Sequence, residues 1–168
     1  MATYSLWFEP SGDIAYKLQE RIKKLSEKHG GPVFSPHVTL LGSIESSETE
    51  SISLTNTLAS YLKPFELELT KAGYRDRFYQ SLFIHVKHTE RLSDIREKAL
   101  RLFDVNSEEK YMPHLSLMYG DYTRNEKERI LNLIGREFHI NFQVKHLTLM
   151  QTDGKPDKWK RVQTAVFN

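Results

Sequence analysis

A chain of 168 residues is long enough for one domain, or one closely merged pair, that buries about 70 % of the surface its unfolded form exposes. Twenty-four Lys and Arg against twenty-two Asp and Glu leave a net charge of +2, too little for a protein that coats nucleic acid, so any anion site has to be local. The absence of cysteine excludes disulfides, thiolate nucleophiles and Cys-based zinc sites together.

In chain order, Tyr4 to Glu9 is rich in strand formers and is broken by Pro10-Ser11-Gly12, which predicts a first strand. Ile14, Leu18, Ile22 and Leu25 then recur at helical spacing among charged residues until Gly30-Gly31-Pro32 stops them. Glu48 to Leu62 carries Ile52, Leu58 and Leu62 on a second helical pattern, ended by Pro64. Phe65, Leu67 and Leu69 alternate with Glu66 and Glu68 as a strand with one wet face. Leu82 to Val86 follows the turn-rich Gly73 to Arg77, so the two strands are predicted to be antiparallel neighbours.

Thr89 caps a helix carrying Leu92, Ile95, Ala99 and Leu102. Thr123-Arg124-Asn125-Glu126 has capping-box form ahead of Ile130, Leu133 and Ile134, with Gly135 as terminator. Phe138, Ile140, Phe142 and Val144 alternate in a strand expected to continue through Met150, and Trp159 to Phe167 returns as the last strand. No run approaches the ~18 apolar residues of a membrane span, and Met1-Ala2-Thr3-Tyr4 does not open a signal peptide. The expectation is a soluble, cytoplasmic protein without a membrane partner.

One stretch occurs twice. Pro36-His37-Val38-Thr39-Leu40-Leu41-Gly42 returns 77 positions later (114 − 37) as Pro113-His114-Leu115-Ser116-Leu117-Met118-Tyr119-Gly120. A bare His-x-Thr or His-x-Ser is expected roughly once by chance, but the flanking Pro, apolar and Gly residues lower that by about three orders of magnitude. Both copies read as short strands between Pro and Gly, with His37 and Thr39 on one face, and His114 and Ser116 likewise. The same offset superposes Tyr4 to Glu9 on Ser81 to Val86, Leu18 on Ile95, and Phe65 on Phe142, so the chain reads as β-α-β-α-β written twice. This predicts a single domain over residues 1–168, made of two intertwined lobes whose motif strands meet and aim four polar side chains into one groove.

Near neutral pH one imidazole can be a neutral base while its partner is a protonated acid. Two of them flanking a phosphate could move a proton pair in one displacement, with Thr39 and Ser116 donating to its non-bridging oxygens. The paired motifs resemble those of the 2H phosphoesterase superfamily, and the flanks, Leu6-Trp7-Phe8-Glu9-Pro10 and Thr152-Asp153-Gly154 through Trp159-Lys160-Arg161-Val162, are most similar to its cyclic phosphodiesterase branch.

The resemblance covers nearly the whole chain and implies an α+β, bilobal LigT-like fold: two pseudo-symmetric lobes of antiparallel sheet with outer helices and a central groove. It also implies hydrolysis without metal or other cofactor, with His37 and His114 as the catalytic proton-transfer pair, Thr39 and Ser116 holding the phosphate, His114 activating water and His37 acting as acid. The implied substrate is a small cyclic-phosphate nucleotide, either ADP-ribose 1″,2″-cyclic phosphate, a by-product of tRNA splicing, or a nucleoside 2′,3′-cyclic phosphate opened to its 2′-phosphate. The protein is expected to be a monomer. Two rivals stand beside this reading: an enzyme acting on the 2′,3′-cyclic ends of RNA, and a nucleotide-binding module without turnover.

Other residues invite over-reading. His146-Leu147-Thr148 is a third His-x-Thr, but it lacks the Pro and Gly and is read as a strand decoy. His85 and His88 are read as lying in a solvated loop rather than as zinc ligands. Strand parity turns Tyr119 away from the groove, whereas the family pattern brings it to the substrate, which requires a kink before Gly120. Trp7 and Tyr79 are candidate stacking residues for a base or ribose. Arg75 and Arg77 are either solvated or turned toward a second phosphate.

Overall fold

In a computed structural model covering residues 1–168, the chain forms β1 (Ala2–Phe8), α1 (Gly12–His29), β2 (Val38–Ser46), α2 (Glu48–Ser60), β3 (Phe65–Gly73), β4 (Leu82–Val86), α3 (Glu90–Leu102), β5 (His114–Met118), α4 (Arg124–Ile134), β6 (Glu137–Val144), β7 (His146–Gln151) and β8 (Lys160–Val166). Each helix begins or ends where side chains satisfy its free backbone groups. Thr89 accepts from the Leu92 amide, and Thr123 and Glu126 complete a reciprocal capping box. No helix is long and apolar enough to cross a membrane.

All eight strands join one antiparallel sheet in the order β6-β3-β4-β5-β2-β1-β7-β8. The two motif strands are therefore the central neighbours, and each heads a lobe of four strands. The lobes meet at a narrow seam, the single β2–β5 register pair Val38 and Leu115. Helices reinforce that seam crosswise, since α1 packs on β5 and α3 on β2. Leu18, Ile22 and Leu25 of α1, and Leu92, Ile95 and Ala99 of α3, are buried in a continuous core with Val38, Leu40, Leu115 and Leu117. Alternation along the strands sends the polar residues of both motifs to the opposite, open face. The molecule is thus an α+β, bilobal antiparallel sheet with outer helices and a central groove.

Two expectations from the sequence are corrected. Gly42 does not end β2; the strand runs on to Ser46 through register shifts against β1, and Ser43 adopts a left-handed φ of 55°. Glycine here serves a bulge rather than a stop. Nor do Phe138 to Met150 form one strand. Phe138, Phe142 and Val144 are buried in alternation with exposed residues, as in a strand with one wet face, whereas Leu147 to Met150 are buried without a break, as in a strand covered on both faces. The chain breaks at Lys145, leaving β6 at one edge of the sheet beside β3 and placing β7 between β1 and β8 in the other lobe.

Candidate active site

The seam register fixes the arrangement of the motifs. With Val38 facing Leu115 in antiparallel pairing, His37 stands opposite Ser116 and Thr39 opposite His114. Each imidazole thus has the other strand's hydroxyl across the seam, and the two histidines lie diagonally to one another. All four line one cavity of about 400 Å³ between the lobes.

Both rings are held the same way. His37 Nδ1–H donates to the Ser35 carbonyl at 2.7 Å, and His114 Nδ1–H donates to the Met112 carbonyl at 2.8 Å. A carbonyl only accepts, so the proton is on Nδ1 in each case and Nε2 offers its lone pair. Burial drives His37 down to about 4, against the opposing pull of the Ser35 bond and the Glu9 charge. Burial also lowers His114, helped by the nearby His85 and Arg75 and opposed by the Met112 bond. Sequence reasoning missed these two carbonyls, although they too are related by the 77-residue offset (112 − 35).

The aromatic residues divide into wall and rim. Trp7 is almost fully buried, with its ring stacked on His37 at 3.4 Å and 7° between planes. It lines the cavity but spends one face on the histidine, so it fixes His37 rather than serving as an open platform. Tyr79, half exposed on a 3-10 turn (Phe78–Gln80), lies at the rim. Beside it stands Trp159, with ring centroids 6.1 Å apart, a residue not singled out individually from the sequence.

Tyr119 also lines the cavity, stacked on Phe34 at 3.8 Å and buried. β5 ends at Met118, one residue before Tyr119, and Gly120 takes a φ of 147° with the Tyr122 ring against it. Burial raises the Tyr119 phenol, so it stays protonated. The Ser116 hydroxyl donates to the Tyr79 carbonyl at 3.2 Å, tying the motif to the rim turn.

Other histidines have different places. His85 is not in a solvated loop: it is half-buried on β4, directly opposite His114. The sequence signal was its position in an apolar run whose alternate members face the core. His146 and Thr148 turn to Glu9 instead of the groove. The buried Glu9 carboxylate accepts from the Arg161 guanidinium through two bonds of 2.8 Å and from the Thr148 hydroxyl, with His146 Nε2 at 3.6 Å. No three His, Asp or Glu side chains converge as a metal site would require. A larger groove of about 620 Å³ lies between α1 and α4, but it holds neither motif.

Comparison with known proteins agrees with this geometry. The family model of the 2′-5′ RNA ligase superfamily matches residues 13–156. A cyclic phosphodiesterase of Arabidopsis thaliana is 25 % identical over 172 residues, covering 98 % of this chain and 95 % of the relative. Among solved structures, TT0787 of Thermus thermophilus superposes with a TM-score of 0.70 at 17 % identity, covering 98 % of this chain and 97 % of that one. E. coli LigT complexed with 3′-AMP gives 0.64 at 16 % identity, covering 99 % and 98 %. The family match spans most of the chain, and the chain belongs to the 2′-5′ RNA ligase superfamily, the 2H phosphoesterases.

Proposed function

We propose that this protein hydrolyses ribose cyclic phosphodiesters, opening ADP-ribose 1″,2″-cyclic phosphate or nucleoside 2′,3′-cyclic phosphates, the latter to 2′-phosphates. The observation that carries the reading is the cross-strand register, which sets His37 beside Ser116 and His114 beside Thr39 on one face. A water oxygen attacks phosphorus while His114 Nε2 takes its proton. The bond from phosphorus to the departing ribose oxygen breaks, and that oxygen leaves with a proton from His37. His37 acquires that proton when the phosphate anion arrives, because a neighbouring negative charge opposes the burial that holds the ring neutral. The Thr39 hydroxyl donates to the non-bridging oxygens, where charge accumulates, and Ser116 joins it by turning its hydroxyl from the Tyr79 carbonyl to the phosphate.

Support comes from the Arabidopsis relative's activity as a cyclic phosphodiesterase and from LigT's complex with 3′-AMP. A cavity of about 400 Å³ suits one nucleotide, which favours a small substrate over a long RNA.

The test is incubation with 2′,3′-cyclic AMP and with ADP-ribose 1″,2″-cyclic phosphate, each with and without EDTA. Turnover should survive the chelator. His37→Ala and His114→Ala should each lose about 10² or more in rate while keeping the wild-type circular dichroism. Binding without product in the wild type would identify a binding module instead.

A further inference from the structure

On the far side of Thr39 and His114 lies a second, smaller pocket of about 140 Å³. It shares Thr39, Gln80 and His114 with the main cavity, so the two are immediate neighbours. Its character is different. The main cavity is lined by Tyr119 and rimmed by Tyr79 and Trp159, whereas this pocket is lined by Arg75, Arg96 and Lys110.

The single carboxylate there is Glu109, which Arg77 engages at 3.6 Å. None of the three lining cations is paired with a carboxylate. Arg96 is half-buried between the Leu40 carbonyl, to which it donates, and the Tyr111 ring, 4.8 Å from its guanidinium carbon. Arg75 reaches over from the β3–β4 loop, its guanidinium 3.4 Å from the Gln80 side-chain oxygen. A protein of net charge +2 has thus gathered three unneutralised cations at one end of its groove. Guanidinium forks and an ammonium around a small pocket are a phosphate-recognising set.

We propose that this pocket binds a second phosphate of the same substrate, carried on the 5′ oxygen of the ribose whose cyclic phosphate lies between His37 and His114. The inference rests on the proposed hydrolysis and narrows it: the preferred substrate is a ribose cyclic phosphate with a phosphorylated 5′ position. A 5′-monophosphate and a 5′-diphosphate bridge share this chemistry, and separate substrates distinguish them. Arg75, Arg96 and Lys110 are then specificity residues, and the aromatic rim receives the rest of the molecule.

The experiment compares kcat/KM for 2′,3′-cyclic AMP, for its 5′-phosphorylated form and for ADP-ribose 1″,2″-cyclic phosphate, in the wild type and in Arg75→Gln, Lys110→Gln and the double variant. The ratio of each 5′-phosphorylated substrate to 2′,3′-cyclic AMP should fall about tenfold in the double variant and also at high salt. Glu109→Gln, which removes the competing carboxylate, should raise it. A loss confined to one of the two phosphorylated substrates identifies the monophosphate or the diphosphate as the preferred group. An unchanged ratio for both in the double variant overturns the proposal. If the wild type turns over none of the three substrates, the hydrolase reading fails and calorimetry with inorganic pyrophosphate decides the pocket separately: weaker binding to the double variant supports it, and equal binding rejects it.

Discussion

His37 shows how much of this site is set by burial. The proposed chemistry needs one neutral and one protonated imidazole, so on that reading the active form of the pair carries a single extra proton. Burial places His37 near 4 and also pulls His114 below the ordinary ~6.5. The singly protonated pair is therefore most abundant on the acid side of 6.5 in the protein without substrate. Since kcat/KM reports that form, it should peak below pH 6.5 and decline above it. A bound phosphodiester anion raises both rings, so kcat should peak at higher pH than kcat/KM. The check is a pair of pH profiles with 2′,3′-cyclic AMP; a kcat/KM maximum near pH 8 would contradict the burial argument. The four motif residues were legible in the sequence because strand alternation alone places them on a common face. Trp7 as the backing of His37 and Trp159 as a rim residue were not, because ring stacking depends on how separate strands approach.

At the scale of elements, the Glu9 cluster joins β1 to β7 and β8 beside the groove. Burial alone would raise the Glu9 carboxyl, but hydrogen bonds from Arg161 and Thr148 and the Arg161 charge outweigh it and hold the group below its ordinary value. A depressed carboxylate stabilises the fold above its unfolded pKa, and that contribution is lost as pH falls through the folded one. Glu9→Gln should therefore cost about 2–3 kcal/mol at pH 7, less than for a fully buried pair because Arg161 is half exposed. Urea midpoints measured from pH 7 to pH 3 should show this difference shrinking below about pH 4.5. His37 adds a separate loss between about 6.5 and 4, present in both proteins. The third His-x-Thr lies on a strand, as its pattern suggests, but its Glu9 partner, far away in sequence, was not foreseeable. The division of β6 from β7 lay in the change from an alternating pattern before Lys145 to a run buried on both faces after it, which continuous strand-forming sequence concealed.

For the whole molecule, the seam is the decisive feature. The repeat in sequence pointed to two motif strands side by side, and the sheet order has them so. The crosswise packing of α1 on β5 and α3 on β2, and the recruitment of β7 and β8 into the first motif's lobe, depend on chain crossings that no local pattern encodes. Since the lobes share one register pair, an anion held between His37 and His114 is a tie between them. Sulfate keeps its charge from pH 5 to 8, so any pH dependence of its binding comes from the protein. Anion binding favours the protonated rings, so its affinity must rise as pH falls toward their depressed values. Sulfate should accordingly raise Tm more at pH 5.5 than at pH 8, compared with sodium chloride of equal ionic strength. At ten times its Kd the gain is about 1.4 kcal/mol, or roughly 2–6 °C for a domain of this size. The His37→Gln, His114→Gln double variant should retain the small general effect of sulfate and lose its pH dependence. An equal shift in wild type and double variant at pH 5.5 would mean that the anion binds elsewhere and that the two imidazoles do not form a common phosphate site.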